Sequence, residues 1–206
     1  MRPVLPCFAA VALAAAFSAG CADQPWPSPA DEEAATRLGA SAADELASTL
    51  IHHLTAALDS AGPAGAIDFC SAEALPLTLR VASTQGDVDI KRTSTRTRNP
   101  ANAPDSLEAE ALAWFESSLE TTGSLPATLI QAEEGEALRY YRPLVANELC
   151  VRCHGPVTTL SPEVLAALSE KYPADQATGY LPGDFRGLIR VRIPRAALAE
   201  AAAPTP

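Results

Sequence analysis

Two cysteines and a histidine lie close together in the C-terminal half of the 206-residue chain. Residues 147–160 read NELCVRCHGPVTTL, which places Cys150, Cys153 and His154 in the order C-x-x-C-H. Two thiols at this spacing can add to the vinyl groups of a haem, and the histidine that follows directly can bind the iron. The spacing therefore predicts one covalent haem c, attached through Cys150 and Cys153, with His154 as an axial ligand.

Two other chemistries use the same residue types. A closed zinc site needs four ligands, and outside the motif the exported chain offers only Cys70, His52, His53 and carboxylates. A thioredoxin-type cysteine pair would open a helix after a strand, and the residues PVTTLSP that follow the motif do not suggest such a helix. Haem attachment is the interpretation that uses all three residues.

The second axial ligand is not fixed by the motif. The only methionine is Met1, which a cleaved signal would remove, so the remaining choices are Cys70, His52, His53, a lysine, water or no ligand. Adjacent residues on a helix point about 100° apart, so at most one of the two histidines could face a haem, and we expect a partly solvated pair. Cys70 lies at a predicted helix start, where the helix dipole would favour its thiolate, although a small buried thiol is the simpler interpretation.

The first residues of the chain indicate export. Residues 1–20 carry one charge and an apolar run too short to span a bilayer, which is typical of a signal peptide. Residues 18–21, SAGC, resemble a lipobox, which predicts acylation of Cys21, although Ser18 stands where leucine is usual and an ordinary signal is the alternative. Both interpretations place the protein in the periplasm, and a lipidated Cys21 followed by a Pro-rich tether over residues 21–30 would anchor it to a membrane.

The overall charge argues against nucleic acid as a partner. The chain has 15 lysines and arginines against 25 aspartates and glutamates, a formal net charge of −10. A polyanion would be repelled by such a surface.

The apolar pattern predicts an α+β fold. A long N-terminal helix starts at Asp31 and stops at Gly62-Pro63, another starts near Cys70, and two more cover residues 105–122 and the residues from Ser161 to before Pro173. Alternating patterns predict strands at 88–90, 138–144 and 188–193. We expect a small antiparallel sheet flanked by helices, in one domain over residues 31–195 with a flexible tail at 196–206.

Four segments in order between residues 66 and 194 carry a family resemblance: AIDFCSAEALP, IKRTSTRTRNPANAPDSLEAEAL, YYRPLVANELCVRCHGP and KYPADQATGYLPGDFRGLIRVRIP. They are similar to the Tll-like family of bacterial domains. The resemblance implies a PAS-like fold, one covalent haem, and iron held by His154 and Cys70. A thiolate ligand places negative charge on the iron, which would give a low reduction potential.

Other polar residues are candidates for supporting roles. Arg92, Arg96 and Arg98 could contact the haem propionates, although a solvated strand end would have the same composition. Tyr140 and Tyr141 alternate on a strand, so one of them could pack on the macrocycle. The loop over residues 172–184 is expected to be mainly structural.

These features predict a redox- or gas-responsive sensor module, whose haem could take a small gas ligand and whose output would pass to a separate, unknown signalling protein. A membrane-tethered electron carrier with a redox partner is the alternative. No distal catalytic arrangement can be recognised, so we expect no enzymatic activity.

Overall fold

The computed structural model describes residues 26–202. The predicted signal peptide, residues 21–25 of the tether with Cys21, and residues 203–206 lie outside the described residues. Residues 26–202 form five α-helices and one four-stranded sheet, which confirms the α+β prediction. Within this range no helix is both long enough and apolar enough to cross a bilayer.

The first helix, α1 (Pro29–Thr84), bends sharply at Gly62. Gly62 adopts φ 69° and ψ −175°, a conformation that favours glycine, and Pro63 then restarts the helix. The predicted stop at this position is therefore confirmed, and it divides α1 into one arm over residues 29–61 and another over 63–84. Across the bend, His53 stacks on Phe69 with ring centroids 6.0 Å apart, so the second arm folds back beside the first.

The sheet contains β1 (Asp89–Thr93), β2 (Leu129–Glu133), β3 (Ala137–Val145) and β4 (Phe185–Pro194), in the spatial order β1-β4-β3-β2 with all neighbours antiparallel. The pattern predicted β1, β3 and β4. It missed β2, whose residues are nearly all half-buried and show no alternation. The sequence signal that could have revealed β2 is Gly135 in the turn before β3. In the structure Glu134 and Gly135 both have positive φ, as short hairpin turns require.

The two faces of the sheet are covered by different helices. On one face Leu138, Tyr140 and Val191 pack with α1 in the largest apolar cluster. A side chain at Gly39 of α1 would overlap the ring of Tyr140, so this glycine permits the close approach of helix and sheet.

The other face packs against α2 (Ser106–Thr122), which contributes Phe115 to a cluster with Tyr141 and Leu188. The predicted capping box is present, because Glu108 N–H donates to Asp105 and Asp105 N–H donates to the Glu108 carboxylate.

A network of charged side chains fills the space between α2 and the sheet. The fully buried carboxylate of Glu108 accepts hydrogen bonds from Lys91 Nζ at 2.7 Å and from Arg190 Nε at 3.1 Å. Arg139 joins Asp105 to Glu133 on the same face. Although Arg190 belongs to an alternating strand pattern, it is buried, because α2 covers this part of β4.

Three short helices complete the fold: α3 (Glu148–His154), α4 (Pro162–Lys171) and α5 (Arg195–Ala202). Ser161 caps α4 as predicted. The expected flexible tail is wrong for residues 196–202, because these residues form α5, whose Leu198 is completely buried in the α1 cluster. A single large apolar residue gave too weak a pattern to reveal this contact in the sequence.

Candidate haem site

The C-x-x-C-H residues lie on helix α3. The side chain of Asn147 starts this helix by accepting hydrogen bonds from the N–H groups of Leu149 and Cys150. Residues three and four apart share a helix face, so Cys150 presents its side chain on the same side as Cys153 and His154. Among residues 26–202 the three cysteines are all free thiols.

Apolar clusters hold α3 on two sides. Cys153 packs against a cluster that includes Ile67 of the second α1 arm and Leu160. Cys150 packs against another that contains Ala177 and Tyr180. The two cysteines of the motif are thus held between α1 and the loop that precedes β4.

The imidazole of His154 has a defined tautomer. Its Nδ1 lies 2.7 Å from the carbonyl oxygen of Ala177. Since a carbonyl can only accept, Nδ1 must carry the proton and Nε2 is left with its lone pair. Burial, together with the nearby cations Arg98 and Arg186, lowers the pKa of His154 well below 6.5. A neutral imidazole oriented by a carbonyl through its other nitrogen is the usual state of a metal-binding histidine.

The loop over residues 172–184 positions this histidine. Besides the Ala177 contact, Tyr180 N–H donates to the carbonyl of His154 at 2.9 Å, and Gly179 N–H donates to that of Gly155 at 2.7 Å. Gly179 has φ 82°, which suits a glycine in this turn. The loop predicted to be structural therefore has a direct contact with the central residue of the site.

Cys70 approaches the same site from the second arm of α1. Burial raises the pKa of its thiol, Arg92 and Arg98 lower it, and Cys153 raises it, so these four side chains influence one another. The expectation that a helix start favours the Cys70 thiolate is wrong. The arm begins at Pro63, two turns earlier, and the effect of the helix dipole is confined to the first turn. A metal ion would have to displace the proton of this thiol.

The two histidines of α1 behave as expected. His52 is exposed, whereas His53 is half-buried against Phe69, the residue before Cys70. The expectation for the tyrosines is not supported, because Tyr140 and Tyr141 are both buried between the sheet and its covering helices.

The three arginines proposed from the sequence have different contacts. Arg96 donates to the carbonyls of Gln176 and Thr178 and lies over the ring of Tyr180. Arg98 bonds to the loop through the Asp175 carboxylate and the Ala177 carbonyl, and to α3 through the Cys153 carbonyl. Both guanidinium groups are therefore occupied by contacts within the protein.

Arg92 is different, because the described part of the chain supplies no hydrogen bond or ion pair to its guanidinium. It alternates on β1 with Lys91, which faces α2, and so projects toward the α1 side. Burial lowers the pKa of Arg92, and Cys70 opposes this effect. Sequence reasoning missed Arg186, whose buried Nε has no partner within residues 26–202, although its recurrence in a basic stretch of β4 was visible.

These residues fit a covalently attached haem. Two free thiols stand one turn apart, the imidazole beside them keeps Nε2 available, and a third thiol lies across from them on α1. The orphaned Nε of Arg186 and the unpaired Arg92 add donors suited to carboxylates such as propionates. No group of three or more His, Cys, Asp and Glu that could hold a metal ion occurs within residues 26–202.

The fold and the site define a class: α+β proteins with a small antiparallel sheet, a helical C-x-x-C-H motif and a further cysteine on a separate helix. The chain belongs to the Tll0287-like family, whose model matches residues 30–194. A solved structure, the crystal structure of the cyanobacterial heme-protein Tll0287, is 25% identical to this chain, with a TM-score of 0.49, and covers 72% of this chain and 92% of the other. No curated protein matches the sequence.

Proposed function

We propose that this protein binds one haem covalently, through thioether bonds from Cys150 and Cys153. The observation that carries the proposal is the geometry of His154, which follows the two thiols on α3 and is held by Ala177 with Nε2 free for a metal. Membership of the Tll0287-like family supports it.

We further propose that His154 and Cys70 are the two axial ligands. Cys70 is the thiol that the fold brings toward the motif from a separate helix, and Arg92 lies beside it. When bound, the haem would supply an iron able to exchange one electron. The thiolate of Cys70 would stabilise the ferric state and keep the reduction potential low.

Arg92 and Arg186 are the arginines best placed to receive the propionates. In the described structure the Arg92 guanidinium has no hydrogen-bond partner, and Arg186 keeps a free Nε although its Nη1 donates within the protein. The guanidinium groups of Arg96 and Arg98 bond to the loop. An arginine fork can bind a carboxylate with two parallel hydrogen bonds.

The biological role that we favour is a redox- or gas-responsive sensor module with a PAS-like fold. The two ligands belong to different elements, since Cys70 lies on the second α1 arm and His154 on α3. Loss of the Cys70 bond on reduction, or in favour of a small gas, would release one contact between these elements and change the surface offered to a signalling partner.

The second candidate is a membrane-tethered electron carrier. The net charge of −10 supports it, because an acidic surface would steer a basic redox partner at low ionic strength. For either role we propose a periplasmic, lipid-anchored protein without enzymatic activity.

Expression of the full chain in a bacterial strain competent for cytochrome c maturation tests the proposal. We expect a coloured protein whose mass exceeds that of the polypeptide and lipid by one haem, and whose Cys150→Ala/Cys153→Ala variant is colourless. A colourless parent protein of unmodified mass would refute haem attachment.

Addition of carbon monoxide to the reduced holoprotein separates the two roles. Prompt displacement of one axial ligand supports the sensor, whereas an unchanged spectrum together with rapid electron exchange supports the carrier.

A further inference from the structure

Arg98 and Asp175 form an ion pair directly behind the proposed iron ligand. Arg98 Nε lies 3.0 Å from Asp175 Oδ2, and both side chains are about nine-tenths buried, with 11% and 10% of their surface exposed. A pair this enclosed is shielded from water and salt. Its geometry is therefore fixed more firmly than that of a surface pair.

The same two side chains bond to both polar backbone groups of Ala177, its N–H and its carbonyl. Asp175 Oδ1 accepts from Ala177 N–H at 2.8 Å, and Arg98 Nη2 donates to the Ala177 carbonyl at 3.3 Å. That carbonyl is the acceptor for His154 Nδ1. The loop over residues 172–184 is thus fixed at the one oxygen that orients the imidazole.

Arg98 also reaches the motif helix. Its Nη2 donates at 2.6 Å to the carbonyl of Cys153, which belongs to the peptide group that joins Cys153 to His154. One guanidinium therefore connects the backbone before His154 with the backbone that receives its hydrogen bond. Lysine could not make these contacts together, because it presents a single charged nitrogen on a flexible stem.

We propose that the Arg98–Asp175 pair is a positioning device, which holds the Ala177 carbonyl against Nδ1 of His154 and so sets the donor strength of Nε2. This inference rests on the proposed function. It assigns Arg98 to positioning the Ala177 carbonyl instead of contacting a haem propionate. A strong Nδ1–H bond makes Nε2 more basic and favours ferric iron. Loosening the pair weakens that bond and raises the reduction midpoint.

Charge-conserving variants test this, because they leave the electrostatic field at the site nearly unchanged. Arg98→Lys keeps the cation but loses the fork, and Asp175→Glu keeps the anion but displaces it by one methylene. The controls are Arg152→Lys and Glu148→Asp, two exposed residues of α3. All are prepared as holoprotein and compared by redox titration and by hydrogen exchange of peptides covering residues 172–184.

We expect Arg98→Lys and Asp175→Glu to raise the reduction midpoint and to speed hydrogen exchange in residues 172–184. Both controls should match the parent protein. The double variant should shift the midpoint no further than the larger single variant, because either change releases the same carbonyl. Unchanged midpoints in loaded Arg98→Lys and Asp175→Glu overturn the proposal.

Two further outcomes are also decisive. If Arg98→Lys does not fold, Asp175→Glu carries the test, and a parental midpoint in that variant overturns the proposal. If the parent protein attaches no haem, the proposed function fails. Hydrogen exchange alone then tests whether the Arg98–Asp175 pair holds the loop. Parental exchange in both variants would then refute it.

Discussion

Nδ1 of His154 lies 2.7 Å from the carbonyl oxygen of Ala177, and this contact determines which ring nitrogen can bind a metal. The two residues come from different parts of the chain, the end of α3 and the loop before β4. Their contact joins the C-x-x-C-H motif to the rest of the fold.

His154→Ala should leave the haem attached but change its coordination. The two thioether bonds do not depend on the imidazole, whereas the iron would lose one strong-field ligand. We expect a protein of parental mass whose visible spectrum is high-spin, with His52→Ala as the matched control because His52 is exposed. A parental spectrum in His154→Ala would show that another residue binds the iron.

Cys70→Ser should raise the reduction midpoint and remove the spectral features of thiolate ligation. An alcohol is a much weaker anionic donor than a thiol, so the ferric state loses stabilisation. Redox titration followed in the visible and near-infrared measures both effects, and Ser71→Ala, on the exposed side of the same turn, serves as the control. An unchanged spectrum and midpoint would eliminate Cys70 as the ligand.

Arg92→Gln should lower the midpoint by tens of millivolts. Arg92 is an unpaired cation near Cys70 and His154, and removing it disfavours the more negative ferrous state. About 60 mV corresponds to a tenfold change in a one-electron equilibrium. Arg152→Gln removes an exposed charge on α3 and should have a smaller effect. Equal shifts in the two variants would indicate a general charge effect rather than a role of Arg92.

Glu108→Gln should destabilise the fold by about 3 kcal/mol and leave the haem spectrum unchanged. The substitution removes the buried anion that pairs with Lys91 and Arg190, so Lys91 loses its anionic partner and Arg190 keeps only Asp89. Urea unfolding of the holoprotein measures the change. Glu110→Gln, on the exposed side of the same helix, should cost less than about 0.5 kcal/mol. A loss as small as that of Glu110→Gln would mean that the buried pairs add nothing to stability.

Acid should destabilise the protein through Glu133. The hydrogen bond from Arg139 holds the pKa of Glu133 below its ordinary value, burial opposes the shift, and Arg192 adds to it. A carboxylate with a depressed pKa in the folded state stabilises the protein above its unfolded pKa of about 4.3, and this contribution is lost as the pH falls through the folded pKa.

Urea unfolding at a series of pH values checks this expectation. Glu133→Gln should reduce the dependence of the free energy of unfolding on pH below about 5. Glu136→Gln is the control, since Glu136 is largely exposed. The interpretation would be contradicted if the two variants kept the same dependence as the parent.

Local patterns in the sequence were sufficient for most of the secondary structure. The bend at Gly62-Pro63, the capping box of Asp105 and Glu108 and strand β4 are each specified by neighbouring residues, and the structure contains all three. The alternating pattern of β4 does not appear in its burial, because α2 covers Arg190. Strand β2 and helices α3 and α5 were not predicted. The apolar residues of β2 and α5 are stabilised by distant partners rather than by a repeating pattern, and the seven residues of α3 are too few to show one.

For the site, the sequence by itself determined the spacing of two thiols and an imidazole in the order C-x-x-C-H, and from that spacing we predict haem attachment. Only the tertiary structure decided which arginines have free donors, that Cys70 is a half-buried thiol two turns into its helix, and that Ala177 orients His154. The physical reason is the range of the interactions. Spacing along a helix is local, whereas burial and the direction of a hydrogen bond depend on which distant segments pack together.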